Sequence, residues 1–359
     1  MPMRLLTAIT PHGYGHAAQA LVVLETLCAR RPDVELHIAT NVPEAFLRSR
    51  LPHPFRYHAH ATDFGLKMSS ALEIDLPASA EAYASQLRLW DSLLEAETRF
   101  LDALRPDLLL ADVPYLPLAA AQRLGVPAVA LCSLNWADIH THYFHDRPEA
   151  GQVRERLLAA YNSARVFLAP EPHMPMPDLV NLRTIGPLAR AGVNRRATID
   201  ARLGLAPDDR LVLIALGGVQ GRLPMERWPR TPGLHWLVRE DWRVERPDCH
   251  AIESLQMPFT DILTSCDALL GKIGYGTVAE CAVNSTPMLY IPRADWPEEP
   301  YLADWLGHHG ATARIDAGQA ETGDFGPTLE ALLDQPLPSP PAPSGAQTAA
   351  QCLLEMLGV

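Results

Sequence analysis

The chain has 359 residues, 48% of them hydrophobic and 20% charged, with a formal net charge of −12 from 30 basic and 42 acidic side chains. That length exceeds one ordinary core and suits two domains, and the composition is that of a folded globular protein. The acidic balance argues against a nucleic-acid partner, yet a small phosphorylated ligand can still be held by a few local amides and a helix end.

Six cysteines, at 28, 132, 249, 266, 281 and 352, form no CxxC pair. Reduced, buried thiols in a cytoplasmic setting are the expectation. The start, Met1 to Thr10, is a short apolar run followed at once by His and Gly, without the pattern of a secretory leader. No uninterrupted apolar run of about 18 residues occurs, so no transmembrane helix is expected.

In chain order, the first half alternates short strand-like runs with helical stretches. Strands are predicted at 4–9, 34–40, 55–61, 108–112, 127–132 and 166–169, with helices at 17–30 and 81–104 between them. Strands separated by helices imply parallel βαβ units. Asp107-Leu-Leu-Leu-Ala-Asp112 is apolar between two acids, as a strand covered on both faces should be. Ile185-Gly-Pro-Leu-Ala-Arg190 has the look of a linker. The second half repeats the plan, with strands predicted at 211–216, 234–239, 250–254, 268–272, 287–291 and 312–315. Pro336–Pro343 has five prolines in eight residues, an extended connector, and 346–357 reads as a final helix able to pack back on the first domain. The expected domains are 1–185, 186–335 and a tail of 336–359. They would form two Rossmann-like, doubly wound α/β halves facing a cleft, with the loops after Ile9, Asp112, Leu216 and Lys272 turned toward it.

Three glycine turns carry candidate chemistry. Thr10-Pro-His-Gly-Tyr-Gly-His16 follows the first strand and opens the first helix. There His16 is either a general base near a helix N-terminus or a histidine that merely caps and packs. Gly217-Gly218 ends the strand Leu211–Leu216 and either presents amides to a phosphate or is an ordinary strand exit. Lys272-Ile-Gly-Tyr-Gly-Thr-Val-Ala-Glu280 runs from a strand into a helix. Thr277 is expected to cap that helix, its amides to hold a diphosphate, and Glu280 to reach ribose hydroxyls. His140, His142, His145 and Asp146 crowd one segment read as a polar loop, and no metal is expected. No Asp-x-Asp and no G-x-S-x-G pattern occurs. The segment 222–246 mixes six arginines with Trp228, Trp236 and Trp242 and reads as a solvated amphipathic surface.

The HGYGH turn, the Gly-Gly strand exit, and GKIGYGTVAE followed by Pro292-Arg-Ala-Asp-Trp-Pro-Glu-Glu-Pro-Tyr301 resemble the GT-B glycosyltransferase superfamily, and within it the MurG-like transferases. The similarity is greatest to the glycosyltransferase-like region of plant-type L-arabinokinases. That region shares a segment like Ser133-Leu-Asn-Trp-Ala-Asp138 and the acidic Glu298-Glu299-Pro300 run. The kinase part of those fused proteins has no counterpart in the residues matched, so kinase activity is not implied.

The resemblance implies a nucleoside diphosphate sugar as partner, with the second half as its seat. Gly217, Gly218, Lys272, Gly274, Tyr275, Gly276 and Thr277 would serve the diphosphate. Glu280 would serve the ribose, the backbone near Met257 and Phe259 the base, and Glu298 and Glu299 the sugar. MurG-like enzymes often have glutamines at that last place. His16 matches the catalytic histidine of inverting members. Asp112 is the candidate acid to orient it, the alternative being a buried strand-end carboxylate that caps a loop. His12, Gly13, Gly15, Asn135 and Trp136 fall on the acceptor side. The expected reaction is metal-independent, cofactor-free, inverting transfer from a UDP-linked donor to an acceptor the sequence does not name. Hydrolysis of nucleotide sugars by the same fold, or a non-catalytic sensor of them, are the alternatives.

Overall fold

The computed structural model describes residues 3–69, 73–216, 222–293 and 295–358. They divide into two compact units, 1–188 with 344–359, and 189–343.

The first unit has a seven-stranded, wholly parallel sheet. Its strands are β1 (Arg4–Ile9), β2 (Glu35–Thr40), β3 (Arg56–Ala59), β4 (Leu108–Asp112), β5 (Ala128–Leu131), β6 (Val166–Pro170) and β7 (Leu182–Ile185), in the order β3-β2-β1-β4-β5-β6-β7. Every residue of β4 is buried, because helices cover both faces of a parallel sheet. The helix Gly345–Met356 packs along Gly15–Arg30, burying Ala346, Ala349, Ala350 and Leu353. It is a local contact of one unit, although some 320 residues separate the partners Arg30 and Gln351.

Two local readings need correction here. The segment 81–104 is not one helix but two, Leu76–Arg88 and Trp90–Leu104, joined at the exposed Leu89. The buried positions Tyr83, Gln86, Trp90, Leu94, Glu97 and Leu101 keep helical spacing straight through the joint, which conceals it in the sequence. β7 was not expected as a strand; it ends at Ile185, where the expected linker 185–190 begins. It is an edge strand with Arg183 and Thr184 exposed, so it carries little apolar signal.

The second unit has a six-stranded parallel sheet of β8 (Arg210–Ala215), β9 (Leu234–Val238), β10 (Cys249–Ala251), β11 (Ala268–Lys272), β12 (Met288–Ile291) and β13 (Thr312–Arg314). Their order is β10-β9-β8-β11-β12-β13. The expected amphipathic surface at 222–246 is overturned: Trp228, Trp236 and Trp242 are all buried in the core, beside Phe325, Leu329 and Met225. The Trp228 indole donates to the Ala320 carbonyl at 2.9 Å. Arg246 is also buried, bound to the Trp228 carbonyl and to Asp248. Its stem fills core while its fork is satisfied. Among the described residues no helix is long and apolar enough to cross a membrane.

Candidate active site

In the first sheet the chain order reverses between β1 and β4, so their carboxyl ends part and leave the place where open α/β sheets bind ligands. Ile9 lies opposite Asp112 in register, and the Thr10 N–H donates to the Asp112 carbonyl at 2.9 Å. The chain then turns through Gly13, whose N–H closes on the Pro11 carbonyl, and enters a helix at Gly15. His16 is thereby delivered to the end of the neighbouring strand. Its Nδ1 is 3.1 Å from Asp112 Oδ1, with the carboxylate wholly buried and the imidazole nearly so. Burial pushes the Asp112 carboxyl up to about 6, against the opposing pull of the His16 hydrogen bond. An ionised carboxylate can only accept, so Nδ1 carries the proton and Nε2 the lone pair. That is the tautomer a general base needs.

A second buried carboxylate stands in the same unit, and nothing in the sequence singled it out. Asp63, in the loop after β3, accepts the Trp136 indole N–H at 3.0 Å. Burial pushes it up to about 6, with the nearby Thr10 and His16 and the Trp136 hydrogen bond opposing. The Trp136 ring in turn meets His12 edge-on at 5.3 Å and His16 at 5.8 Å between centroids. Gly65 makes this packing possible. Its φ is +62°, and an added Cβ would lie 2.7 Å from the Trp136 ring. Leu66 N–H also approaches His12 Nδ1 at 3.4 Å. The glycine in Asp63-Phe-Gly65 was the one available signal, but its partner lies some 70 residues away. Cys132, just past β5, was likewise passed over as an ordinary core thiol; its Sγ is 3.5 Å from His16 Nδ1.

The second sheet reverses between β8 and β11. Gly271 lets these strands approach: a Cβ there would meet the Ala215 carbonyl oxygen at 2.3 Å. Lys272 ends β11, its ammonium pushed down to about 8 by burial and by the nearby Arg293. The helix Tyr275–Val283 follows, with Gly274 at its N-cap and no side chain capping it. Thr277 is therefore not the cap; it sits in the first turn, and Glu280 one turn on. Gly274 and Gly276 both face open space at the Cβ position. After β12, the Arg293 guanidinium lies over the Trp296 ring at 3.9 Å, and the Arg293 backbone N–H donates to Glu299 Oε2 at 2.6 Å. Burial raises the Glu299 carboxyl. Glu298 is buried, and its Oε2 accepts the Trp296 indole N–H at 3.1 Å.

The first unit thus gathers His12, His16, Asp112 and Trp136, and the second gathers Lys272 with the start of the following helix. Asn135 and Trp136 are wholly buried, and Asn135 is occupied as an N-cap, accepting the Asp138 N–H at 2.9 Å. Met257 and Phe259 flank the start of the helix Phe259–Leu263. Gly217 and Gly218 lie outside the described residues. The supposed histidine loop is largely helix: His140 and His142 belong to Trp136–Phe144. His140 is buried against Tyr83 and Phe144, and burial pushes its imidazole down to about 4.

No protein-family pattern matches the chain. Among curated proteins, L-arabinokinase of Arabidopsis thaliana is 26% identical over 340 residues, covering 90% of this chain and 31% of that protein. The UDP-N-acetylglucosamine--N-acetylmuramyl-(pentapeptide) pyrophosphoryl-undecaprenol N-acetylglucosamine transferase of Crocosphaera subtropica is 26% identical over 126 residues, covering 32% of this chain and 34% of that one. The chain therefore spans about a third of each curated relative. Among solved structures, the glycotransferase of kitacinnamycin matches with a TM-score of 0.61 at 17% identity, over 99% of this chain and 95% of that one. Arabidopsis thaliana UGT89C1 complexed with UDP matches at 0.59 and 17%, over 99% and 94%. With two parallel α/β units of reversing strand order and matches of this extent, the chain has the GT-B fold of the glycosyltransferases.

Proposed function

We propose that this protein is an inverting, metal-independent glycosyltransferase that moves a sugar from a UDP-linked donor to an acceptor hydroxyl. The observation that carries the reading is the buried His16–Asp112 pair at the reversal of the first sheet. His16 Nε2 takes the acceptor proton while the acceptor oxygen attacks the anomeric carbon and the bond to the diphosphate breaks on the opposite face. Asp112 holds the imidazole in register and stabilises the imidazolium that forms. The departing diphosphate gains one negative charge as its bond to the anomeric carbon breaks, and Lys272, Arg293 and the helix start at Gly274–Thr277 are the groups assigned to receive it.

The remaining assignments follow the same logic. Glu280 takes the ribose, the backbone around Met257 and Phe259 the base, and Glu299 a sugar hydroxyl. Glu298 supports that site through Trp296 rather than by direct contact. The donor is assigned as UDP-linked because one relative's name specifies a UDP-sugar and one matched structure holds UDP. All six cysteines are free thiols, which supports a reducing, cytoplasmic setting.

The test is turnover of UDP-glucose, UDP-N-acetylglucosamine and UDP-arabinose with a panel of sugar and phenolic acceptors, read as UDP release and as product mass. Acceptor-dependent UDP release that is lost in His16→Ala supports the reading. Full turnover by His16→Ala rejects His16 as the base. Free sugar released with no acceptor present makes water the acceptor and the protein a hydrolase.

A further inference from the structure

The pair at the reversal of the first sheet has a third neighbour that sugar transfer does not use. The donor atoms of His16, Asp112 and Cys132 all lie within 4.8 Å of one another, and all three residues are buried. Nδ1 is 3.1 Å from Asp112 Oδ1 and 3.5 Å from Cys132 Sγ. A tetrahedral zinc with nitrogen and oxygen at about 2.0–2.2 Å and sulfur at about 2.3 Å sets its ligand atoms about 3.3–3.6 Å apart. The edge to sulfur falls within that range and the edge to oxygen just below it, so small side-chain shifts bring the donors to bonding distance.

Charge and hydrogen bonding point the same way. Asp112 Oδ2 is buried without a hydrogen-bond partner, which leaves an acceptor oxygen at the cluster. Among the described residues, neither Asp112 nor Asp63 pairs with a lysine or arginine, and an imidazole in its base form carries no charge to offset these two buried carboxylates. Burying net charge is costly. A divalent ion with Asp112 carboxylate and Cys132 thiolate sums to zero. Nitrogen, oxygen and thiolate donors together select a thiophilic borderline cation over magnesium or calcium.

We propose that His16, Asp112 and Cys132 form a binding site for a thiophilic divalent cation of the zinc class, and that its occupancy switches off proton abstraction. Binding breaks the His16–Asp112 hydrogen bond. The thiol proton leaves to solvent and the imidazole proton moves from Nδ1 to Nε2, so one proton is released per ion and no electrons are exchanged. A metal-bound imidazole with Nε2 protonated cannot take the acceptor's proton. This inhibitory half rests on the reading of His16 as the base; the binding half does not.

The experiment uses Co²⁺ as a coloured stand-in for zinc on the full chain stripped with chelator. One equivalent should give a thiolate-to-cobalt charge-transfer band that Zn²⁺ displaces and that Cys132→Ser and Asp112→Asn each abolish or strongly weaken. Circular dichroism confirms that each variant is folded. X-ray absorption of the zinc-loaded wild-type chain, which needs no variant, should show one sulfur with nitrogen and oxygen neighbours. Zinc should also lower wild-type turnover, and chelator should restore it. Absence of the band in the wild-type chain, its survival in Cys132→Ser, or a zinc shell without sulfur overturns the site. A band that depends on Cys132, with turnover indifferent to zinc, keeps the site and overturns both its inhibitory role and His16 as the base.

Discussion

The carboxyl ends of β1 and β4 and those of β8 and β11 hold the same place in their two sheets, yet they carry opposite chemistry. The first pair of strand ends holds an imidazole and the buried Asp112, with the buried Asp63 of the loop after β3 in the same unit, and no lysine or arginine is paired to either carboxylate among the described residues. The second holds Lys272, the nearby Arg293 and the N-terminus of a helix without a side-chain cap. In the proposed reading, one topology is furnished once to accept a proton and once to receive an anion. The backbone fixes where a site can be, and the side chains at the strand ends decide what it does.

That division can be broken from either side. The largest effect should come from His16→Ala, which is expected to lower kcat by about 10²–10⁴-fold. Steady-state kinetics measures it, and loss of KM alone would move His16 from chemistry to binding. Next is Gly65→Ala, which must place a Cβ at positive φ against the Trp136 ring. A loss of about 2–4 kcal/mol is expected in urea unfolding. An unchanged midpoint would show that the packing beneath His12 and His16 is looser than the contact implies. Trp136→Phe removes the indole donor and leaves Asp63 buried with one bond fewer. It should cost about 1–3 kcal/mol by the same measurement. The smallest effect is a pH dependence confined to the second sheet. Lys272 is charged below about 8 and neutral above it. UDP affinity should therefore be full near pH 7 and decline as pH rises through about 8, the midpoint moving upward as bound diphosphate favours the ammonium. Lys272→Arg, which stays charged, should flatten that decline.

The sequence was most legible where the signal is local. β4 could be read to the residue because an apolar run between two acids admits one arrangement, and that placed Asp112 at a strand end beside the first glycine turn. Lys272 and the helix after Gly274 were readable for the same reason: strand, turn and helix follow one another without interruption. Asp63 was not readable. Its role depends on an indole 73 residues away, and only the folded loop brings them together. Cys132 looked like core because it ends an apolar run; that it also touches His16 follows from the pairing of β4 with β5, not from its neighbours in the chain. The tryptophans of 222–246 misled in the opposite sense. Six nearby arginines gave the segment a surface character, while the cover for Trp228 and Trp236 comes from Phe325, nearly a hundred residues on. The helix joint at Leu89 escaped because its buried stripe never loses phase.

The most direct test of the division is calorimetric titration of UDP into the wild-type chain, His16→Ala and Lys272→Ala. If the first sheet supplies the base and the second the anion seat, His16→Ala binds UDP within about twofold of wild type, and Lys272→Ala binds it about 10–100-fold more weakly. UDP affinity that collapses in His16→Ala and survives in Lys272→Ala would contradict the account.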